Sequence, residues 1–148
     1  MKQRSQIKEA KELVNNVQSL RAGMRNYIRR KLKESNLDLT YEMLQVLAVL
    51  WSRGDLNQQE IADTISKNKA SLTSLLDNLA KRKLIVRSED PSDRRNKIIS
   101  LTKMGRNHEK ELDALMNGLY ETLQTGLSKA DITNASSVLK HMGENLWK

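Results

Sequence analysis

Proline occurs once in this chain of 148 residues, at position 91, and it stands between the two β-prone runs "LIVRSE" and "NKIISLT". The intervening "DPSDRR" is turn-forming, because Pro presets φ and Asp and Ser side chains bond their own backbone. Two β-prone runs joined in this way read as an antiparallel hairpin, with Arg94 and Arg95 at or just beyond its tip. The rest of the chain carries helical spacing, so this hairpin has to fit into a mainly α fold.

From Ile7 to Leu32 the apolar positions recur every three or four residues, which predicts a long amphipathic helix over about residues 4 to 34. Thr40 is placed to cap a second helix, "YEMLQVLAVLWSR", which is apolar on most sides and belongs between two layers. Gly54-Asp55 ends it. "NQQE" then has the form of a capping box, Asn57 with Glu60, at the start of a short third helix over about residues 58 to 65. "SKN" is a turn, and "KASLTSLLDNLAKRK" is a fourth helix with Leu72, Leu75, Leu76 and Leu79 on one side. After the hairpin, a fifth helix is entered through Thr102 and marked by Leu112, Leu115, Met116, Leu119 and Leu123. Ser128, with Asp131 three residues on, caps a sixth.

Two short helices joined by a tight turn and followed by a hairpin make a winged helix-turn-helix. The second helix of such a pair fits the major groove of B-DNA. Its outward residues here are Lys67, Asn68, Lys69, Ala70, Ser71, Thr73, Ser74 and Asn78, which are cations and short hydrogen-bonding or methyl-bearing side chains suited to phosphates and base edges. A hairpin tip is narrow enough for a minor groove, where a guanidinium gains from concentrated negative potential. Arg94, Arg95 and Lys97 supply the charge, and Asp93 can hold one guanidinium by a bidentate pair before DNA arrives. The competing reading of each feature is a solvated polar face or a turn that happens to be charged.

Charge distribution favours the polyanion reading. Residues 1 to 66 hold 11 basic and 8 acidic side chains, residues 67 to 106 hold 11 and 4, and residues 107 to 148 hold 4 and 6, so a net charge of +8 is concentrated in forty central positions. No apolar run is long enough to span a bilayer, and the N-terminus lacks the apolar stretch of a signal peptide, which reads as a cytoplasmic chain with no membrane partner. The chain has no cysteine, hence no disulfide and no thiolate metal site. His108 and His141 have no acid or serine at a catalytic spacing and no glycine-rich phosphate loop is present. No catalytic residue, metal or cofactor is expected.

"LTYEMLQVLAVLWSRGDLNQQEIAD", "KASLTSLLDNLAKRKLI" and "DPSDRRNKIISLTKMG" resemble the winged helix-turn-helix regulators of the MarR (multiple antibiotic resistance regulator) family over about residues 39 to 106. The resemblance implies a single unit over 1-148, with a DNA-binding region at 39-106 and dimerisation helices at 1-38 and 107-148. It implies a homodimeric, operator-binding transcriptional regulator, with repression the expected sign, often relieved by a small-molecule effector. By motif position Arg95 is the minor-groove arginine, Asp93 its partner and Arg94 a phosphate contact. Effectors in the family lodge between the dimerising helices and the winged region, which nominates Met24, Tyr27, Tyr41 and Met116. Two positions depart from the pattern: Lys83 stands where the family usually has glycine, and Ser74 where many members carry a cation.

The apolar surface of the first, fifth and sixth helices exceeds what a small winged region can cover, which independently favours a second copy of the chain. A two-fold dimer reads half-sites about one helical turn apart, so the expected operator is a pseudo-palindrome. Two rivals stand beside this reading: an enzyme, and a winged module for protein contact or architectural DNA binding without operator specificity. A steep fall of binding with salt together with a strong sequence preference separates the regulator from the second.

Overall fold

Helical periodicity and caps produce most of the architecture. In the computed structural model, which describes residues 2–65 and 67–147, the order is α1 (Lys2–Glu34), α2 (Tyr41–Arg53), β1 (Leu56–Asn57), α3 (Gln58–Ile65) and α4 (Lys69–Lys81). Then follow β2 (Ile85–Glu89), β3 (Lys97–Leu101), α5 (Lys103–Asn107), α6 (Glu109–Leu123) and α7 (Lys129–Leu146). The fold is mainly α with a small antiparallel sheet. Ser66, in the expected turn "SKN", lies outside the described residues.

The caps are those the sequence asks for. Thr40 Oγ1 accepts from Met43 N at 3.1 Å and starts α2, and the Gly54 N–H bonds the Leu50 carbonyl to end it, at a φ of 79°. Asn57 Oδ1 accepts from Glu60 N at 2.9 Å while Glu60 Oε2 accepts from Asn57 N at 2.8 Å, a complete capping box. Ser128 and Asp131 form another at the start of α7.

The expected hairpin is present, β2 pairing antiparallel with β3, and four details differ from or add to the sequence reading. α1 begins at Lys2, two residues early. The sheet has three strands in the order β1-β3-β2, since Leu56 and Asn57 pair with Ile99 and Ile98. The fourth helix stops at Lys81, because Lys83 turns left-handed at φ 58°. Its N–H bonds Ala80 O and that of Leu84 bonds Leu79 O, closing the helix end in the manner of a Schellman turn. Finally, the helix entered through Thr102 is broken at His108 into α5 and α6. The Gly105 carbonyl, which would accept from residue 109 in an unbroken helix, accepts from the Trp51 indole Nε1 at 3.1 Å.

Lys83 holds a conformation that costs a side-chain-bearing residue about 1 kcal/mol. Lys83→Gly should remove that cost while adding freedom to the unfolded chain. A net gain of about 0.5 kcal/mol is expected in urea denaturation at unchanged slope, and a loss would mean that Lys83 is not strained.

α2 lies at the centre of the core. Its Met43, Leu44, Val46, Leu47 and Leu50 are buried, as are Ile28 and Leu32 of α1, Ile61 of α3, Leu72, Leu76 and Leu79 of α4, Ile85, Ile99, and Leu112 and Leu119 of α6. Each contributes roughly 1.5 to 3 kcal/mol by leaving water. This core fixes α3, α4 and the β2-β3 wing to one another. α7 buries none of its side chains, and the N-terminal half of α1 leaves Ile7, Val14, Val17 and Leu20 exposed.

Candidate nucleic-acid interface

Leu72, Leu76 and Leu79 anchor the inner side of α4, so the outer side faces solvent. Lys69, Ala70, Ser71, Thr73 and Ser74 are exposed there, with Asn68 at the N-cap. The Asn68 side chain accepts from Ser71 N at 2.8 Å, which occupies its oxygen and leaves its amide hydrogens outward. Lys67, Ser71, Ser74 and Asn78 border one open groove of about 580 Å³ shared with the first turn of α2. Asn78 is half-buried and turned along the helix, donating to Ser74 O at 2.9 Å.

Three residues that sequence reasoning did not single out hold α4 in place. Gln58, at the start of α3, donates to Thr73 Oγ1 at 2.6 Å. Arg87 of β2 meets Asp77 at 2.7 Å and ties the wing to the helix. Arg82 donates through Nε to the Asp38 carbonyl at 2.9 Å and pairs with its carboxylate at 3.1 Å, joining the end of α4 to the segment before α2. Each contact is between residues distant in sequence and mostly exposed, which periodicity does not detect.

The wing tip is a built turn. Asp90 N bonds Asn96 O, Asn96 N bonds Asp93 O, and the Asp90 carboxylate accepts from both the N–H and the hydroxyl of Ser92. Asp93 takes a fork of the Arg95 guanidinium, Nε to Oδ1 at 3.1 Å and Nη2 to Oδ2 at 3.3 Å, and its Oδ1 also accepts from Arg95 N at 3.0 Å. The Arg95 side chain nonetheless remains 91% exposed. It is oriented without being covered. The Arg95 guanidinium first, then its backbone N–H, hold the Asp93 carboxyl below its ordinary value.

All four acids of the basic segment are hydrogen-bonded or paired: Asp77 with Arg87, Glu89 with Lys97, Asp90 with Ser92 and Asp93 with Arg95. Lys97, one of the expected DNA contacts, is therefore held across the hairpin at 3.2 Å. Lys67, Lys69 and Arg94 form no ion pair with the described residues, and the surplus positive charge faces outward. Such a surface suits a polyanion with two grooves, one for α4 and one for the tip.

The four residues nominated for an effector are all partly buried against the core. Met116 lines a cavity of about 140 Å³ between α2 and α6, with Leu44, Trp51 and Leu112. Tyr27 instead packs on the core under Arg30 and Lys31, with its hydroxyl against Gly118. Tyr41 stacks beneath Arg25 at 5.4 Å, and Met24 packs against the core. Among the described residues no cluster of three or more His, Asp or Glu could hold a metal, and no helix is long and apolar enough to cross a membrane.

Residues 39–97 match the model of the MarR family. The chain is 30% identical over 137 residues to the HTH-type transcriptional regulator TcaR of Staphylococcus aureus (strain Newman), covering 90% of this chain and 86% of that one. Among solved structures, the S. aureus MepR–DNA complex superposes with a TM-score of 0.81 at 25% identity, over 89% of this chain and 96% of that one. A mutant MarR from E. coli complexed with operator DNA also gives 0.81, at 21% identity, over 90% of this chain and 95% of that one.

Proposed function

The chain belongs to the MarR family of transcriptional regulators, and from that premise we propose that it binds one double-stranded DNA operator as a homodimer. α4 enters the major groove and the wing places Arg95 in the adjacent minor groove. Repression is the sign proposed, by occlusion of the DNA it covers. The observation that carries the reading is the wing tip, where a side chain 91% exposed is held in one pose by a bidentate acid. A purely structural turn has no use for an oriented, uncovered guanidinium. The superposed MepR structure is a DNA complex, which supports DNA as the partner.

Selection of bound sequences from a random duplex pool tests this. The expected product is a pseudo-palindrome with half-sites about one helical turn apart, bound with a steep salt dependence. Equal binding to all sequences would favour the architectural module instead.

Homodimerisation is proposed through α1, α6 and α7. An eighteen-residue helix with no buried side chain and with Ile132, Val138 and Leu139 exposed needs a covering surface, and so do Val14 and Leu20 of α1. Leu139→Glu keeps helix propensity but puts a charge in that surface. Sedimentation at micromolar concentration should give twice the 17.0 kDa chain for the wild type and a shift to monomer for Leu139→Glu, with operator binding lost in parallel. A wild-type monomer with full affinity would overturn it.

For a small effector, the cavity bordered by Met116 and Trp51 is the seat proposed. Its 140 Å³ suits a single aromatic ring. It lies at the junction of the winged region and α6, where an occupant would press on both. Trp51 fluorescence, titrated with one-ring aromatic compounds in the presence and absence of operator, tests that seat.

A further inference from the structure

Gln58 stands at the entrance of α3, half-buried, and reaches over the turn to α4. Its Nε2 donates to Thr73 Oγ1 at 2.6 Å and more weakly to the Lys69 carbonyl at 3.5 Å. Thr73 Oγ1 donates its own hydrogen to the same Lys69 carbonyl at 2.9 Å. A threonine hydroxyl has one hydrogen and two lone pairs. The hydrogen and one lone pair are thus occupied within the protein, yet the residue is exposed on the outer side of α4. With the oxygen turned onto its own helix and gripped from α3, the Cβ substituent left to meet a partner is the methyl. In a helix threonine divides between two χ1 rotamers because its hydroxyl can bond the preceding turn, and the Lys69 bond with the Gln58 grip holds Thr73 in the one that does.

We infer that Thr73 reads DNA with its methyl group, against the 5-methyl of one thymine in each half-site, and that Gln58 is the positioning residue that holds it in that pose. The inference rests on the operator reading above. In the major groove only thymine offers a methyl, whereas guanine and adenine offer the N7 acceptor and cytosine an amino donor. A freely rotating hydroxyl could bond several of these and would discriminate little. A methyl held outward satisfies none of them and leaves their polar edges unpaired. The clamp therefore converts a permissive side chain into a selective one. Ser71, two residues earlier on α4 and also exposed, has no methyl of its own and keeps its hydroxyl for hydrogen bonding.

The experiment uses the full-length chain and the selected operator, with each thymine replaced in turn, in both half-sites together, by deoxyuridine. This removes the methyl and leaves the pairing and O4 unchanged. Burial of one methyl is worth on the order of fourfold in affinity, so about 15-fold is expected for the symmetric replacement at one position only. Thr73→Ser should lose a similar factor on the thymine operator and nothing further on the deoxyuridine operator, because the two deletions remove one contact. Gln58→Ala should lower the thymine-to-deoxyuridine ratio to about fourfold or less, whereas a uniform loss of affinity from a loosened α4 would leave that ratio at its wild-type value.

Three results would overturn it. A Thr73→Ser chain as sensitive to deoxyuridine as the wild type at that position removes the methyl assignment and leaves the operator reading in place. An unchanged ratio in Gln58→Ala removes the positioning role. A wild-type chain that selects no sequence overturns the operator reading and this inference with it.

Discussion

Gly105→Ala is expected to destabilise the protein by about 3 kcal/mol and to lower its melting temperature by about 10 °C. A Cβ at that position would overlap the Leu84 carbonyl oxygen and lie 3.1 Å from Leu101 Cδ2. Backbone has to move to admit it. That carbonyl accepts from Thr102 N at 3.0 Å, and Thr102 Oγ1 donates to Lys83 O at 2.6 Å while accepting from Gly105 N at 3.0 Å. The Gly105 carbonyl in turn holds the Trp51 indole. One displacement disturbs the end of α4, the start of β2, the cap of α5 and the anchor on α2. Alanine is otherwise the better residue in a helix, by roughly 1 kcal/mol over glycine, so the sign of the change separates close approach from propensity. Thermal denaturation checks it, and a melting temperature equal to that of the wild type or above it would refute the crowding argument.

Operator affinity of the same variant should fall by more than its folded fraction accounts for, because Gly105 lies where the wing meets α6. The Trp51–Gly105 bond is a polar link between α2, which supports the recognition helix, and the segment leading to the proposed dimer helix α6. The distance between two recognition helices depends on that segment, and half-site spacing is a geometric requirement.

What the sequence made legible was local. Thr40, Asn57 with Glu60, and Ser128 with Asp131 cap helices over three-residue spacings, and Asp93 meets Arg95 over two, so residue order alone brings those groups together. Amphipathic spacing likewise placed Leu72, Leu76 and Leu79 inside and left Ser71 and Thr73 outside. What was not legible depended on tertiary approach. β1 is two residues long and has no periodicity to find; only the position of Ile99 on its central strand makes Leu56 a partner. Gln58 was legible as part of a helix start, whereas its grip on Thr73, fifteen residues on, follows from the angle between α3 and α4. Met24, Tyr27 and Tyr41 were nominated as an effector lining by family position; the sequence did not show that Tyr41 and Tyr27 lie beneath Arg25 and Arg30, contacts made by tertiary approach and by helix geometry.

Arg95→Ala is expected to weaken operator binding by on the order of 150-fold. Each arm of the proposed dimer loses about 1.5 kcal/mol, within the range for a guanidinium that contacts base acceptors, and the complex contains two arms. The arginine is exposed and sits at the tip of a hairpin whose core contacts come from Ile85 and Ile99, so stability should stay within about 0.5 kcal/mol of the wild type. The pattern across sequences matters more than the size. A·T-rich flanks narrow the minor groove and concentrate its negative potential, so the loss should be largest there and smaller on G·C-rich flanks. Asp93→Ala keeps the guanidinium but removes its fork and the turn bond to Arg95 N. It should give the same flank dependence with a loss nearer fivefold, the cost of ordering a freed arginine on binding. Arg94 has no such partner at the tip, and Arg94→Ala should act almost uniformly across sequences, lowering the salt slope by about 2 per dimer. Fluorescence anisotropy on flank-varied operators at several salt concentrations reads all three. If Arg95→Ala binds the operator as the wild type does, at an ionic strength where neither is saturated, then the oriented guanidinium at the wing tip has another purpose and the minor-groove assignment fails.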